Sequence, residues 1–237
     1  MMPLITVGPL RLSSYGICLV IALGVWWWWC VRRISIPSLI DPDSMVFAMA
    51  VGAWLGGRIG YVVGSVAIWP QLMNVRALEF SWPGAIIGAG CALLLLRQWW
   101  PFSFVTLLDA LALPTLSAQS IGAIGLWLAG AAVGVPWDGT WAVAQAGALR
   151  HPVQLYESGI AILVALWCIL APRLLPSIQS RWWLIGGIAL NWLIVEGFRA
   201  DSFSLSDGIR IIQFVGLGLL IVVSERVMMT MHLRVKS

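Results

Sequence analysis

Seven long apolar runs divide this chain, at about 14–31, 45–66, 84–96, 103–132, 154–171, 182–198 and 209–224. Most approach the roughly 20 residues that a helix needs to cross a bilayer. Hydrocarbon offers no partner to a bare peptide group, so each run is expected to be a helix that bonds to itself. The third run is short, and Pro114 and several glycines interrupt the fourth. Those two leave room for a tilt, a break or a re-entrant path. The expected fold is all-α: a polytopic membrane helix bundle of about seven transmembrane helices. No internal repeat and no low-complexity linker is present, so residues 1–237 read as a single transmembrane domain.

The polar residues between the runs orient the bundle. One set of run ends holds Arg32, Arg33, Arg97, Arg173, Arg181, Arg226, Arg234 and Lys236. The other holds Arg11, Arg76, Arg150, Arg199 and Arg210. Positive residues favour the cytoplasmic side. Eight against five puts the C-terminus in the cytoplasm and the N-terminus outside. Residues 135–152 then form the longest outer connection, beside outer loops at 70–83 and 200–208. Trp26 to Trp29, Arg32 and Arg33 follow the first run where a cleavage site of small residues would stand. That run reads as a retained helix and not a removed signal peptide.

Composition agrees with this picture. Hydrophobic residues make up 60% of the chain and charged residues 10%, and the mean hydropathy is +0.92. An ordinary soluble domain is excluded. The net charge is +4, but its 14 Lys and Arg residues are scattered, so nucleic acid is not an expected partner. The four cysteines (Cys18, Cys30, Cys91, Cys168) lie in or near apolar runs and form no CxxC pair, so they read as buried thiols. No metal site and no cofactor is expected. Sixteen tryptophans are many; those at 26–29, 99–100 and 182–183 suit an aromatic belt at the inner ends.

Polar groups are costly in such a chain, so where they gather is informative. Arg150, His151, Gln154, Tyr156 and Glu157 crowd into one short segment at the edge of the fifth run. Arg58 lies well inside the second run, in Gly56-Gly57-Arg58-Ile59-Gly60-Tyr61. Glu196 and Arg199 stand three apart in the sixth run, spaced to share one helical face, and Asp201 follows. Tyr15 and Gly16 open the first run. Two readings stay open. The groups pair internally and lock the helices, or they line a headgroup site near the outer leaflet. Two arginines suit a phosphate.

These motifs resemble the bacterial prolipoprotein diacylglyceryl transferase family. His151-Pro152-Val153-Gln154-Leu155-Tyr156-Glu157 looks like that family's HPxQLYE. GGRIGY at 56–61, Tyr15-Gly16, Glu196 with Arg199, and Gln213 match further pieces in order and spacing. The resemblance implies seven transmembrane helices with the N-terminus outside, in the bacterial inner (plasma) membrane. It also implies transfer of a diacylglyceryl group from phosphatidylglycerol to a lipoprotein cysteine. That reaction needs a base for the thiol and cations for the departing glycerol phosphate. Carried over residue by residue, His151, Tyr156 and Glu157 are the catalytic candidates, with His151 as base. Tyr15, Arg58, Gln154, Glu196 and Arg199 are the substrate-binding candidates.

Several positions depart from the family pattern. Pro83 stands where the resemblance puts a histidine. Over 122–134 the glycines Gly122, Gly125 and Gly134 remain, but Ala123 replaces an arginine, Leu126 and Ala129 replace asparagines, and Ala131 replaces a glutamate. Trp192 replaces another arginine. The leading expectation is therefore a catalytically degenerate homologue. It would bind a phosphatidylglycerol-like phospholipid or a lipoprotein precursor, or serve as a subunit beside other membrane proteins. The alternative is an active transferase, of the family's reaction or an altered one. A transporter or channel would need a continuous polar path, and only the outer half of this chain is polar enough.

Overall fold

The computed structural model of the chain describes residues 4–7, 10–34, 41–65, 82–99, 102–175, 178–200 and 210–235. Seven α-helices lie among them: α1 (Ser14–Arg33), α2 (Pro42–Ser65), α3 (Trp82–Trp99), α4 (Phe104–Ala129), α5 (Val153–Leu174), α6 (Ser180–Val195) and α7 (Ile211–Val235). Four short strands form two antiparallel hairpins, β1 (Leu4–Val7) with β2 (Leu10–Ser13) and β3 (Val143–Gln145) with β4 (Ala148–Arg150). All seven predicted runs are helical. Five helices (α1, α2, α4, α5 and α7) are long and apolar enough to cross a membrane, and α3 contributes a shorter apolar stretch. Many outward side chains are large and apolar, among them Val20, Ile87 and Leu163. That suits a surface solvated by lipid. The protein is an all-α, polytopic membrane protein. The loops expected at 70–83 and 200–208 lie almost wholly, and Asp201 entirely, outside the described residues.

The chain forms two compact units, Cys30–Leu107 and the combination of Met1–Trp29 with Leu108–Ser237. In the first, α2 and α3 run antiparallel and meet through glycines. A Cβ on Gly52 would strike the carbonyl of Gly88, and one on Gly88 the carbonyl of Gly52. Gly56 and Gly84 stand in the same reciprocal relation. Small residues at this spacing let two backbones touch, the main source of helix association where lipid tails are as apolar as side chains. Arg58 is buried on α2 in this unit.

In the second unit, Ser13 Oγ caps α1 by accepting from the Gly16 amide at 3.3 Å. α1 packs on α4 at Gly125, where an added Cβ would meet Cys18 and the Tyr15 ring. Further along, Trp26 Nε1 donates to Thr115 Oγ1 at 3.4 Å. Ala112, Leu113 and Leu116 of α4 form a buried cluster with Ala165 and Cys168 of α5 and Leu184 of α6. At one end of that core Asp109 accepts twice from Arg181, from the backbone N–H at 2.7 Å and from Nη1 at 2.5 Å. The pair pins the start of α6 to α4.

One open question is settled and one expectation needs correction. α4 does not break at Pro114; it is one helix of 26 residues. Proline frees the carbonyl one turn back, and packing inside the unit tolerates it, because Pro114 is fully buried. Glu196 and Arg199 do not share an α-helical face. α6 ends at Val195, residues Glu196–Phe198 form a 3-10 turn, and Arg199 is extended at φ −77 and ψ 138. The cause is tertiary. Phe198 O accepts from Val135 N at 2.8 Å, and Ala200 N donates to Val133 O at 3.0 Å. That pairing draws the chain out of the helix.

Candidate functional site

The site grows from the end of α4. Gly130 takes φ 72, and Ala131 N donates to Leu126 O at 3.0 Å while Gly130 N donates to Trp127 O at 3.1 Å. That pattern is a Schellman cap, which satisfies the last carbonyls and turns the chain sharply. Residues 133–137 then run as a middle ribbon. On one side they pair with 198–200. On the other, His151 N donates to Val135 O at 3.2 Å and Trp137 N to Leu149 O at 2.9 Å. Arg150 ties the ribbon down, its Nη1 donating to Gly134 O at 2.9 Å and its Nε to Gln145 O at 3.2 Å. Arg150 is thus a clamp on the backbone.

Pro152 opens α5, and the helical period places Gln154, Glu157 and Ser158 on its inner face. Gln154 is almost fully buried; its Nε2 donates to Ala131 O at 2.6 Å and contacts Gln145 Oε1 at 3.4 Å. Gln154 Oε1 and Gln145 Nε2 are buried without a partner among the described residues. A buried acceptor and donor left open this way are rare.

Glu157 is a second centre. Its Oε1 accepts from Gln119 Nε2 at 3.3 Å, and its backbone carbonyl accepts from Asn191 Nδ2 at 3.3 Å. Its Oε2 lies 4.0 Å from Arg199 Nη1, and Arg199 Nε lies 3.9 Å from Glu196 Oε2. Ser158 and Ser120 hydroxyls bond at 2.9 Å below it. Gln213 donates to Leu193 O at 2.9 Å and holds α7 on α6.

His151 and Tyr156 form a third centre, with His151 Nδ1 3.1 Å from the Tyr156 hydroxyl. Trp137 stacks on the imidazole at 4.3 Å and 7°, and Phe198 flanks it at 4.8 Å. Trp141 Nε1 donates to the Tyr156 hydroxyl at 2.7 Å.

The structure therefore brings His151 together with Tyr156, and Glu157 with Glu196 and Arg199. Tyr15 lies against α4 at Gly125. Arg58 belongs to the other unit. Sequence reasoning missed Gln119, Asn191, Gln145, Trp137, Trp141 and Phe198. Gln119 and Asn191 carried a usable signal, since amides inside apolar runs are costly. The indoles carried none among so many.

The departing positions of this unit lie on the same elements. Ala123 is buried one turn beyond Gln119, and Trp192 is half-buried beside Asn191. Leu126 and Ala129 finish α4, and Ala131 contributes only its carbonyl, to Gln154.

Comparison with known proteins assigns the family. The pattern that defines prolipoprotein diacylglyceryl transferase matches residues 3–229. A phosphatidylglycerol–prolipoprotein diacylglyceryl transferase of Pseudomonas aeruginosa (strain UCBPP-PA14) is 31% identical over 221 residues, covering 85% of this chain and 81% of that one. A protein of the same name from Ectopseudomonas mendocina is 31% identical over 186 residues, 69% of this chain and 67% of the relative. Another from Bordetella parapertussis is 27% identical over 215 residues, 83% and 82%. The chain belongs to the prolipoprotein diacylglyceryl transferase family and is a multi-pass protein of the bacterial inner membrane.

Proposed function

We propose that this chain is a catalytically degenerate member of its family that holds a phosphatidylglycerol-like lipid by its headgroup. One observation carries the reading. Ala123, where the resemblance implies an arginine, is a buried methyl one turn from Gln119, the residue that bonds Glu157. A methyl there cannot hold a phosphate or stabilise a leaving anion. Arg199 is the headgroup-binding cation of this unit, with Tyr15, Gln154 and Glu196 in the binding set; Arg58, on the other unit, is proposed by itself as a phosphate-binding cation. The open amide atoms of Gln154 and Gln145 suit headgroup hydroxyls, which both donate and accept. A lipoprotein precursor or a neighbouring membrane subunit is the proposed protein partner.

The second reading is an active transferase. His151, Tyr156 and Glu157 favour it, because all three match the family motif and sit at the start of α5. Its relatives carry the transferase name.

Lipid retention tests the binding role. Protein purified from bacterial membranes is expected to carry phosphatidylglycerol detectable by mass spectrometry. Arg58→Leu and Arg199→Leu should each lower it about tenfold, the worth of a charge-assisted hydrogen bond of roughly 1.5 kcal/mol or more. Melting temperatures should stay near that of the parent protein. Unchanged lipid in both variants would rule out the headgroup site. Loss of the folded protein would make the arginines helix locks instead.

We also propose the orientation that the charge bias supports, with the C-terminus cytoplasmic and residues 135–152 outside. A reporter fused after Ser237 should work only as a cytoplasmic probe; activity on the outer face would reverse every loop.

A further inference from the structure

We infer that Trp141 is a positioning residue that fixes the tautomer of His151, so that His151 serves the site as a hydrogen-bond donor and not as a base. The argument follows protons along three side chains. An indole N–H can only donate. Trp141 Nε1 lies 2.7 Å from the Tyr156 hydroxyl, so the phenol oxygen accepts there. Tyr156 has one hydrogen of its own to place. Its only other hydrogen-bond contact among the described residues is His151 Nδ1, at 3.1 Å. The phenol therefore donates to Nδ1. A neutral imidazole that accepts at Nδ1 carries its hydrogen on Nε2. Nε2 makes no hydrogen bond among the described residues, which leaves it presented to whatever enters the site.

The opposite tautomer meets a specific difficulty. A free lone pair on Nε2, as a base for a thiol requires, puts the hydrogen on Nδ1. That hydrogen must donate to a phenol oxygen already engaged by Trp141, and the phenol hydrogen then has no acceptor among the described residues. The ring cannot swing away from this choice easily. Trp137 covers one face at 4.3 Å, and Phe198 packs at 4.8 Å. The 135–152 segment thus supplies both the ring's seat and the donor that starts the relay. Trp141 is 60% exposed, so the hydrogen bond to Tyr156, and not burial, is its evident task.

The expected ligand atom is an oxygen acceptor of a lipid headgroup, a phosphate oxygen or an ester carbonyl. This part rests on the headgroup reading given above; the tautomer itself does not.

Nitrogen-15 spectra of histidine-labelled protein in phosphatidylglycerol-free nanodiscs test the relay directly. The parent protein is expected to show the Nε2–H tautomer of His151. Trp141→Phe should shift the tautomer ratio toward Nδ1–H about fivefold, the effect of one net hydrogen bond. Trp137→Phe keeps an aromatic ring beside the imidazole and leaves all three relay groups in place, so it should leave the ratio unchanged. Tyr156→Phe should shift it at least as far as Trp141→Phe. An Nδ1–H tautomer in the parent protein overturns the proposal without any variant. So does a ratio that Trp141→Phe leaves where it was. Phosphatidylglycerol added to the discs should then move the Nε2–H resonance. A correct tautomer whose resonance ignores the lipid keeps the relay and defeats the headgroup reading, so the two failures are distinct.

Discussion

Gly56→Leu should leave almost no folded protein. The Cβ alone would strike the Gly84 carbonyl and come within 2.7 Å of Gly88 Cα. Neither is a side-chain tip that can swing away; both are the backbone of α3. Separation of the helices would abandon the reciprocal contacts at Gly52, Gly84 and Gly88 together. Losses of this kind run on the order of 4 kcal/mol or more, enough to unfold a marginal protein. Gly90→Leu is the control, because a Cβ at Gly90 on the partner helix α3 meets nothing within 4 Å. Monodisperse yield and melting temperature in detergent separate the two. Equal stability of the variants would mean that the glycine contact does not hold α2 to α3.

A cell depleted of its diacylglyceryl transferase should not be rescued by this chain at ordinary expression. The resemblance implies arginines where Ala123 and Trp192 stand, and such charges stabilise the departing glycerol phosphate. Removal of one preorganised charge typically slows a reaction about 10²–10³-fold. Two such losses, with the asparagines replaced by Leu126 and Ala129, should reduce transfer below what growth requires. Groups that act as one unit are not additive, so the combined figure lies below the product of the single ones. Growth restored to the level of an intact transferase would sink the degenerate reading. It would also make the retained His151, Tyr156 and Glu157 sufficient for the chemistry.

The helices were legible because hydrocarbon imposes one rule, continuous apolar length, and five of the seven meet it in full. The ends were harder. α6 loses its last turn because residues 198–200 pair with 133–135, and nothing local to Glu196 announces that partner. Pro114 left the fourth run open for the same reason, since tertiary packing forgives what local propensity forbids. The retained motif residues were found at once, as polar groups in an apolar chain. Gln119 and Asn191 fell below notice because a single uncharged amide is a weak signal. Trp141 was hidden among sixteen tryptophans; its role depends on one hydrogen bond that spacing does not encode.

The unit that holds the candidate site is interrupted in the chain, and this sets an order on its assembly. The part of α1 around Tyr15 and Cys18 finds its seat only when Gly125 arrives. At ordinary rates of protein synthesis that wait is about 5–20 s. The glycine pair of α2 and α3 is complete long before. A newborn chain therefore passes through a stage with the α2–α3 hairpin closed and the Tyr15–Cys18 part of α1 still without its α4 contact. Whatever shelters Tyr15 and the neighbouring polar edge during that interval, lipid or insertion machinery, is as much a requirement of this fold as its final contacts.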